Sequence, residues 1–125
     1  YINDRYLVEN KEGQTIDPFD DDTSLYLETE SGIVILLGCS HKGVKNIIEE
    51  IRASVGDKKI AAVFGGMHLK RAGSEEIKKL IEYFKELEPD LLAPMHCTGR
   101  QAVSMFKEAL GETVQLASVG DKFEF

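Results

Sequence analysis

The chain has 125 residues, of which 42% are hydrophobic and 30% are charged, and its formal net charge at pH 7 is −7. These values are typical of a globular protein that buries a real core, and they predict a single domain over residues 1–125. The acidic balance argues against nucleic acid as a partner, and no apolar run approaches the roughly 20 residues that a membrane-spanning helix needs.

The chain contains two cysteines, Cys39 and Cys97, and each lies close to a histidine. We expect them to be reduced residues of an intracellular, cytoplasmic protein rather than a disulfide framework. A disulfide between them is the alternative if their loops adjoin. The first residue is Tyr1 rather than Met, which agrees with a fragment, a processed product or one piece of a larger protein.

Residues 1–22 predict an N-terminal loop or loose hairpin around the turn signal at residues 10–13. The three aspartates at 20–22 predict a solvated loop, with a metal-binding acid as the minority interpretation. Residues 24–29 alternate apolar and polar side chains, and the turn at 30–32 pairs them with the apolar, β-branched run at 33–37. This pattern predicts an antiparallel hairpin whose second strand is buried on both faces.

Beyond this hairpin, helices and strands are predicted to alternate along the chain. The predicted helices span residues 42–55, 75–88 and 99–110, and the predicted strands span residues 59–64, 91–95 and 113–119. Ser74 is predicted to cap the second helix, and Thr98 with Gln101 to form a capping box at the third. The order predicts an α/β fold with a mixed sheet and helices on at least one face.

All three histidines and both cysteines follow the end of a predicted strand. The loops read Gly-Cys-Ser-His at 38–41, Gly-Gly-Met-His at 65–68 and His-Cys-Thr-Gly at 96–99. Because right-handed crossovers place the carboxyl ends of parallel strands at one edge of a sheet, we expect the three loops to meet there. Imidazole and thiolate groups are ligands that Zn, Fe and Mn sites use, so the pattern favours a metal site.

Simpler interpretations stand beside this one. A single histidine in a loop is more often a hydrogen-bonded structural residue than a metal ligand. For His68 alone, the structural and the functional interpretation have about equal weight. His96 precedes a predicted helix N-terminus, where the dipole disfavours a cation and favours a neutral imidazole that binds metal or forms hydrogen bonds. Cys39 and Cys97 could both be small buried apolar residues, and Cys39 is the stronger candidate for a functional contact.

Two predicted helix N-termini and several nearby basic residues could also hold an anionic group such as a phosphate. These basic residues are Lys42, Lys70, Arg71 and Arg100. The alternative is that each is ordinary solvated surface.

The three loop motifs together resemble the metallo-β-lactamase superfamily, and within it the branch of dihydropterin-6-yl-methyl-ribofuranosylaminobenzene-phosphate synthase, a methanopterin-pathway activity. The resemblance extends from about Thr23 to the end of the chain. It implies an αββα sandwich with a one- or two-metal hydrolytic site, of which this chain is the carboxyl-terminal half.

The resemblance also implies roles for individual residues. His96 takes the position of the superfamily's last metal ligand. Cys39 stands where relatives place a bridging aspartate, with His41 two residues later, so that either or both would touch the metal. His68 stands where related nucleases carry a histidine that assists proton transfer, which makes it the candidate catalytic residue. Ser40, Lys42, Thr98 and Arg100 would then contact the substrate.

The superfamily signature His-x-His-x-Asp-His, which supplies most of the metal ligands, does not occur in this sequence. We therefore expect the missing ligands to come from an N-terminal half or from a partner chain, and a half-sandwich to expose one apolar face of its sheet. Assembly into a homo-oligomer is also open.

The resulting hypothesis is the carboxyl-terminal portion of a hydrolase that uses a divalent metal, Zn in the first place and Fe or Mn otherwise, to activate water against a phosphoester or related small molecule. By itself the chain is expected to be inactive. One alternative is a non-catalytic binding or assembly subunit that keeps the fold. Another is a thiol redox protein, which the absence of a Cys-x-x-Cys motif disfavours.

Overall fold

The computed structural model describes residues 7–125, and its helices and strands largely follow the predicted alternation. The strands are β1 (Leu7–Asn10), β2 (Gly13–Ile16), β3 (Leu25–Thr29), β4 (Gly32–Leu37), β5 (Ile60–Gly66) and β6 (Leu91–Met95). The helices are α1 (Val44–Val55), α2 (Ser74–Leu87) and α3 (Arg100–Leu110). Within the described residues, no helix combines the length and the apolar character that crossing a membrane requires.

The N-terminal hairpin is confirmed for the residues that the structure describes. Strands β1 and β2 pair antiparallel across the turn at Lys11 and Glu12, with Leu7 opposite Ile16. The first six residues of the predicted hairpin lie outside the described residues.

The main sheet has four strands in the order β3-β4-β5-β6. Strand β3 is antiparallel to β4, whereas β4, β5 and β6 are parallel to one another. The predicted mixed sheet of an α/β fold is therefore confirmed. Since β4, β5 and β6 run in the same direction, their carboxyl ends lie at one edge of the sheet, where ligands of open α/β sheets bind.

All three helices pack on the same face of this sheet. Ile35, Val63 and Leu92 are aligned across the three parallel strands and are fully buried. They share one core cluster with apolar side chains from each helix, which include Ile48, Ile77 and Phe106. Each helix carries its apolar residues at intervals of three and four, so a single stripe faces the sheet.

The opposite face of the sheet carries no helix, and it is covered unevenly. Over β5 and β6, the C-terminal tail packs on the sheet, with the Phe123 ring 5.0 Å from that of Phe64. Over β3, by contrast, Leu25 and Leu27 are 60% and 55% exposed. They pair with Leu36 and Val34 of β4, so all four side chains lie on the same face. This exposed apolar area agrees with the expectation for half of a sandwich.

One predicted strand is absent from the described residues. Residues 113–119 do not form a strand: a 3-10 turn occupies Gly111–Thr113, and a single bridge joins Val114 to Leu92. The alternating residues of this segment belong instead to a tail that leaves β6 and crosses the helix-free face, where Ala117 packs. The alternating pattern correctly indicated that this segment makes apolar contacts, but the segment packs on the helix-free face and does not pair as a strand.

The predicted helix caps also differ from the structure. Gly73, rather than Ser74, is the N-cap of α2, and its backbone N–H donates to the Glu76 carboxylate at 2.6 Å. Helix α3 begins after Gly99 without a side-chain cap. The Thr98 hydroxyl donates to the carbonyl of Met95 instead, because a short 3-10 turn at His96–Thr98 separates it from the helix.

Phe106 tests the packing of the helices on the sheet. It is fully buried and its ring lies 5.8 Å from that of Phe84 on α2. We expect Phe106→Ala to lower the free energy of unfolding by about 3–5 kcal/mol, because it leaves a cavity between two helices and the sheet. Urea denaturation would measure this. Val119→Ala is the control, since Val119 is fully exposed and should change stability by less than about 0.5 kcal/mol. A loss at Phe106 as small as at Val119 would contradict this packing.

Candidate metal centre

Three loops meet at the edge of the sheet where β4, β5 and β6 end. The first loop, residues 38–43, joins β4 to α1; the second, residues 67–73, joins β5 to α2; the third, residues 96–99, joins β6 to α3. These loops carry all three histidines and both cysteines. The expected convergence of the three histidine loops is confirmed.

Hydrogen bonds connect the three loops to one another. The Ser40 hydroxyl of the first loop donates to the carbonyl of Gly66 at 2.7 Å. In the second loop, the backbone N–H of Met67 donates to the Thr98 hydroxyl at 3.2 Å, and that of Lys70 to the carbonyl of Cys97 at 3.2 Å. The loops are therefore held by buried polar contacts rather than placed independently.

Gly66 is the point of closest approach between the three loops. A side chain at this position would bring its Cβ within 2.6 Å of the Gly38 carbonyl oxygen and 2.8 Å of Cys97 Sγ. Both distances are too short for any real Cβ. The absence of a side chain at Gly66 thus allows the first and third loops to lie against the end of β5.

Each of the three loops also contains one non-glycine residue with a left-handed backbone. The φ angles are 60° at Ser40, 49° at His68 and 50° at His96. Such conformations are uncommon outside glycine and cost free energy, so they persist where surrounding contacts enforce them and are frequent at functional sites. Here they direct two of the three histidines.

Cys39, His96 and Cys97 form a compact group of metal-binding side chains. One potential ligand atom from each residue lies within 4.8 Å of the other two. Cys39 and Cys97 are free thiols and are partly buried, whereas His96 is exposed. Two sulfur atoms and one imidazole nitrogen fit a divalent metal that accepts soft ligands, such as Zn.

The Cys97 sulfur is itself placed by two backbone groups. It accepts the N–H of His68 at 3.3 Å and approaches the carbonyl oxygen of Cys39 at 3.5 Å. Burial raises the pKa of the Cys97 thiol above its ordinary value, while the hydrogen bond from His68 acts in the opposite direction. Cys97 therefore links all three loops.

His41 and His68 form a second pair beside this group. Their rings meet edge to face with centroids 4.4 Å apart, and the ring of Phe19 lies 5.1 Å from that of His41. Burial, with a smaller contribution from the nearby His41, lowers the pKa of His68 below its usual value.

A cavity of about 340 Å³ opens next to the histidine pair, between α1 and α2. Its apolar walls include Val44, Met67 and Leu80, and its charged lining consists of Lys45, Lys79 and Glu76. A mostly apolar cavity with a few polar groups at one end is typical of a small-molecule site.

The chain resembles two proteins of Methanocaldococcus jannaschii in sequence and one solved structure in fold. It is 34% identical over 121 residues to 7,8-dihydropterin-6-methyl-4-(β-D-ribofuranosyl)-aminobenzene-5′-phosphate synthase, which covers 96% of this chain. It is 30% identical over 117 residues to the uncharacterised protein MJ0448, which covers 86% of this chain. The crystal structure of Tm1679, described as a metal-dependent hydrolase of the β-lactamase superfamily, matches 95% of the chain with a TM-score of 0.84 and 35% identity. No family model matches the chain.

The chain has the fold of the metallo-β-lactamase superfamily. The assignment combines the synthase relative, the Tm1679 fold and the three loop motifs, and it confirms the resemblance inferred from those motifs. The chain spans 40% and 42% of the lengths of the two M. jannaschii proteins and 46% of Tm1679. It thus corresponds to somewhat less than half of each of these three proteins.

The residues predicted to hold metal are divided between the Cys39–His96–Cys97 group and the His41–His68 pair. His96 and Cys39 lie together, and Cys97 joins them. Among the described residues, His41 lies outside that three-residue group and contacts His68 instead. The metal-binding roles of His41, His96 and Cys39, and the catalytic role of His68, stay predictions.

The predicted substrate contacts are also placed differently from one another. Ser40 and Thr98 are buried, and their hydroxyls hold the loops together as described above. The backbone N–H of Lys42 donates to the Asp22 carboxylate at 2.9 Å, while its ammonium lies 3.7 Å from Asp20. Arg100 is exposed and lines a groove of about 850 Å³ with His96. Contact of any of these four with a substrate stays a prediction.

The sequence did not indicate the positions of Phe19 and Asp22. Phe19 is buried, contacts His41 and has a left-handed backbone with φ of 52°. Asp22 anchors the end of the first loop through Lys42, whereas its run of aspartates predicted a solvated loop, with a metal-binding acid as the minority interpretation. Neither residue had a motif that could have linked it to the histidine loops.

Gly66 tests the close approach of the three loops. We expect Gly66→Ala to destabilise the chain by about 1–3 kcal/mol, because the added methyl group overlaps the Gly38 carbonyl and the Cys97 sulfur. Urea denaturation would measure the loss. Gly73→Ala is the matched control, because its Cβ would meet only the Glu76 carboxylate, at an ordinary 3.7 Å. Equal stability of the two variants would contradict the proximity of the loops.

Proposed function

We propose that this chain is the carboxyl-terminal portion of a metal-dependent hydrolase that acts on a phosphoester or a related small molecule. The carrying observation is that the potential ligand atoms of Cys39 and His96 lie within 4.8 Å of each other, at the strand ends of a superfamily fold. The description of Tm1679 as a metal-dependent hydrolase supports this, since that structure matches 95% of the chain.

The proposed ligands from this chain are His96 and Cys39, with His41 near enough along the first loop to contribute. Zinc is the first choice of metal, with Fe or Mn as alternatives, because imidazole and thiolate are ligands that Zn prefers. When bound, such an ion supplies Lewis-acid chemistry: it makes water nucleophilic at neutral pH and polarises the oxygen that gains negative charge.

His68 is the proposed proton-transfer residue. Its backbone is held by the Cys97 sulfur, and its ring contacts His41 at the mouth of the cavity between α1 and α2. A positioned imidazole next to a substrate cavity can exchange a proton with a reacting group. The fixed loops allow this because they restrict where the ring can lie.

Three basic side chains support an anionic substrate. Lys45 and Lys79 line the cavity, and Arg100 lines the groove that contains His96. Ammonium and guanidinium groups are the usual partners of phosphate oxygens in proteins. The name of the synthase relative contains a 5′-phosphate, which agrees with a phosphorylated small molecule as the ligand class.

Further ligands of the complete superfamily-type site would come from outside this stretch of sequence. The chain lacks His-x-His-x-Asp-His and spans 40–46% of the synthase relative and Tm1679. The exposed Leu25, Leu27 and Leu36 face is where the second half of the sandwich would pack. A cytoplasmic location agrees with the two free thiols of the described residues.

His96 tests the proposed function. A purification tag fused to the natural gene would recover the protein together with any partner. We expect stoichiometric Zn, Fe or Mn by elemental analysis and hydrolysis of bis-p-nitrophenyl phosphate or p-nitrophenyl phosphate. His96→Ala should lower the metal content and reduce kcat/KM at least about 100-fold, because the water nucleophile depends on the ion.

The control for this experiment is Ser54→Ala, an exposed change on α1 away from the three loops. Hydrolysis that persists unchanged in the His96 variant would overturn the proposed mechanism. Metal-free, stably folded protein without hydrolysis would favour the non-catalytic binding or assembly subunit instead.

The exposed leucine face generates a separate prediction. In the isolated chain, we expect Leu27→Glu to reduce self-association, because it places a charge in the centre of the apolar area of β3 and β4. Analytical ultracentrifugation at increasing concentration would show this as a lower average mass. Val119→Glu is the matched control, since Val119 is fully exposed but lies outside that area. An equal effect of both changes would show that net charge, and not this face, governs association.

A further inference from the structure

Cys97 had the weaker functional prediction of the two cysteines, yet the structure places it at the centre of the site. One potential ligand atom each from Cys97, Cys39 and His96 lies within 4.8 Å of the others. His96 and Cys97 are adjacent in the sequence, so the left-handed backbone of His96, with φ of 50°, is what allows both to face Cys39.

One polar contact of the Cys97 sulfur is of the kind found at metal-bound thiolates. The sulfur accepts the N–H of His68 at 3.3 Å, and N–H donors of this kind stabilise negative charge on sulfur in metal sites. Its other close polar neighbour is the carbonyl oxygen of Cys39 at 3.5 Å, which accepts the S–H of the thiol.

The donor set also indicates which metal would bind. Two sulfurs and one nitrogen are soft or borderline ligands, and no carboxylate belongs to the group among the described residues. Zn²⁺, Fe²⁺ and Co²⁺ accept such a set, whereas Mg²⁺ and Ca²⁺ prefer oxygen ligands. Three protein ligands with one open position is also the arrangement of catalytic zinc sites.

We propose that Cys97 is a third metal ligand, which with Cys39 and His96 forms a thiolate-rich site that holds one Zn²⁺ or similar soft divalent ion using this chain alone. Binding releases one proton from each thiol to solvent and involves no change of oxidation state. The inference deepens the proposed metal-dependent function and rests on it. It differs in requiring no ligand from outside the chain.

Cobalt binding by the isolated, reduced chain tests this proposal. Adding Co²⁺ to metal-free protein should produce the near-ultraviolet thiolate-to-cobalt charge-transfer absorption and the visible bands of a four-coordinate ion. Zn²⁺ should abolish both, and a large excess of Mg²⁺ should not. Absence of charge-transfer absorption in folded, fully reduced protein would overturn the proposal.

Cys97→Ser distinguishes a ligand from a merely buried residue. The serine hydroxyl can still accept the His68 N–H and donate to the Cys39 carbonyl, so the loops should keep their contacts. We expect the charge-transfer absorption to fall by about half and the cobalt affinity to fall at least about tenfold. Ser54→Ala should leave both unchanged. Unchanged cobalt spectra and affinity in a folded Cys97→Ser variant would overturn the proposal.

Cadmium-113 NMR of the unmodified chain keeps the test independent of folding in the variant. Two thiolate ligands should shift the resonance further downfield than one thiolate ligand. A resonance in the one-thiolate range would mean that Cys39 alone contributes, and it would contradict the proposal. Hydrolysis with metal content unaffected by Cys97→Ser would refute this inference and leave the proposed function standing. A two-thiolate site in a protein without hydrolysis would support this inference and refute the proposed function.

Discussion

The site depends on the close approach of three chain segments at the carboxyl ends of β4, β5 and β6. Parallel strands bring these ends to one edge, but they do not by themselves bring the loops into contact. Contact requires Gly66, where any side chain would overlap the Gly38 carbonyl and the Cys97 sulfur. The hydrogen bonds of Ser40, Met67 and His68 then hold the loops in that arrangement. The chemistry of the site is therefore a consequence of backbone packing.

The two faces of the sheet have different roles. One face is closed by three helices whose apolar stripes meet β4, β5 and β6, and this packing gives the edge its rigidity. The other face is covered by the C-terminal tail only over β5 and β6, which leaves the leucines of β3 in solvent. A single sheet with one partly uncovered face is consistent with a chain that spans less than half the length of the proteins it matches. The same asymmetry connects the fold to the proposed need for a second half.

Two kinds of contact at the site have different consequences. The hydroxyls of Ser40 and Thr98 form hydrogen bonds with backbone groups of the site, so they hold the loops in position. The sulfur and imidazole groups of Cys39, His96 and Cys97 lie close enough together to share an ion. The His41–His68 pair lines the cavity between α1 and α2. The Cys39–His96–Cys97 group, the His41–His68 pair and the cavity thus lie at the same edge of the sheet.

The sequence by itself determined the alternation of strands and helices, the mixed sheet and the meeting of the three histidine loops. It could do so because apolar periodicity and chain direction are local properties that the parallel topology converts into a common edge. Only the tertiary structure decided that Cys97 joins Cys39 and His96, that Phe19 contacts His41, and that residues 113–119 cross the helix-free face instead of adding a strand. Those outcomes depend on backbone angles at single residues and on contacts between segments far apart in the chain, and neither is encoded in the spacing of residue types.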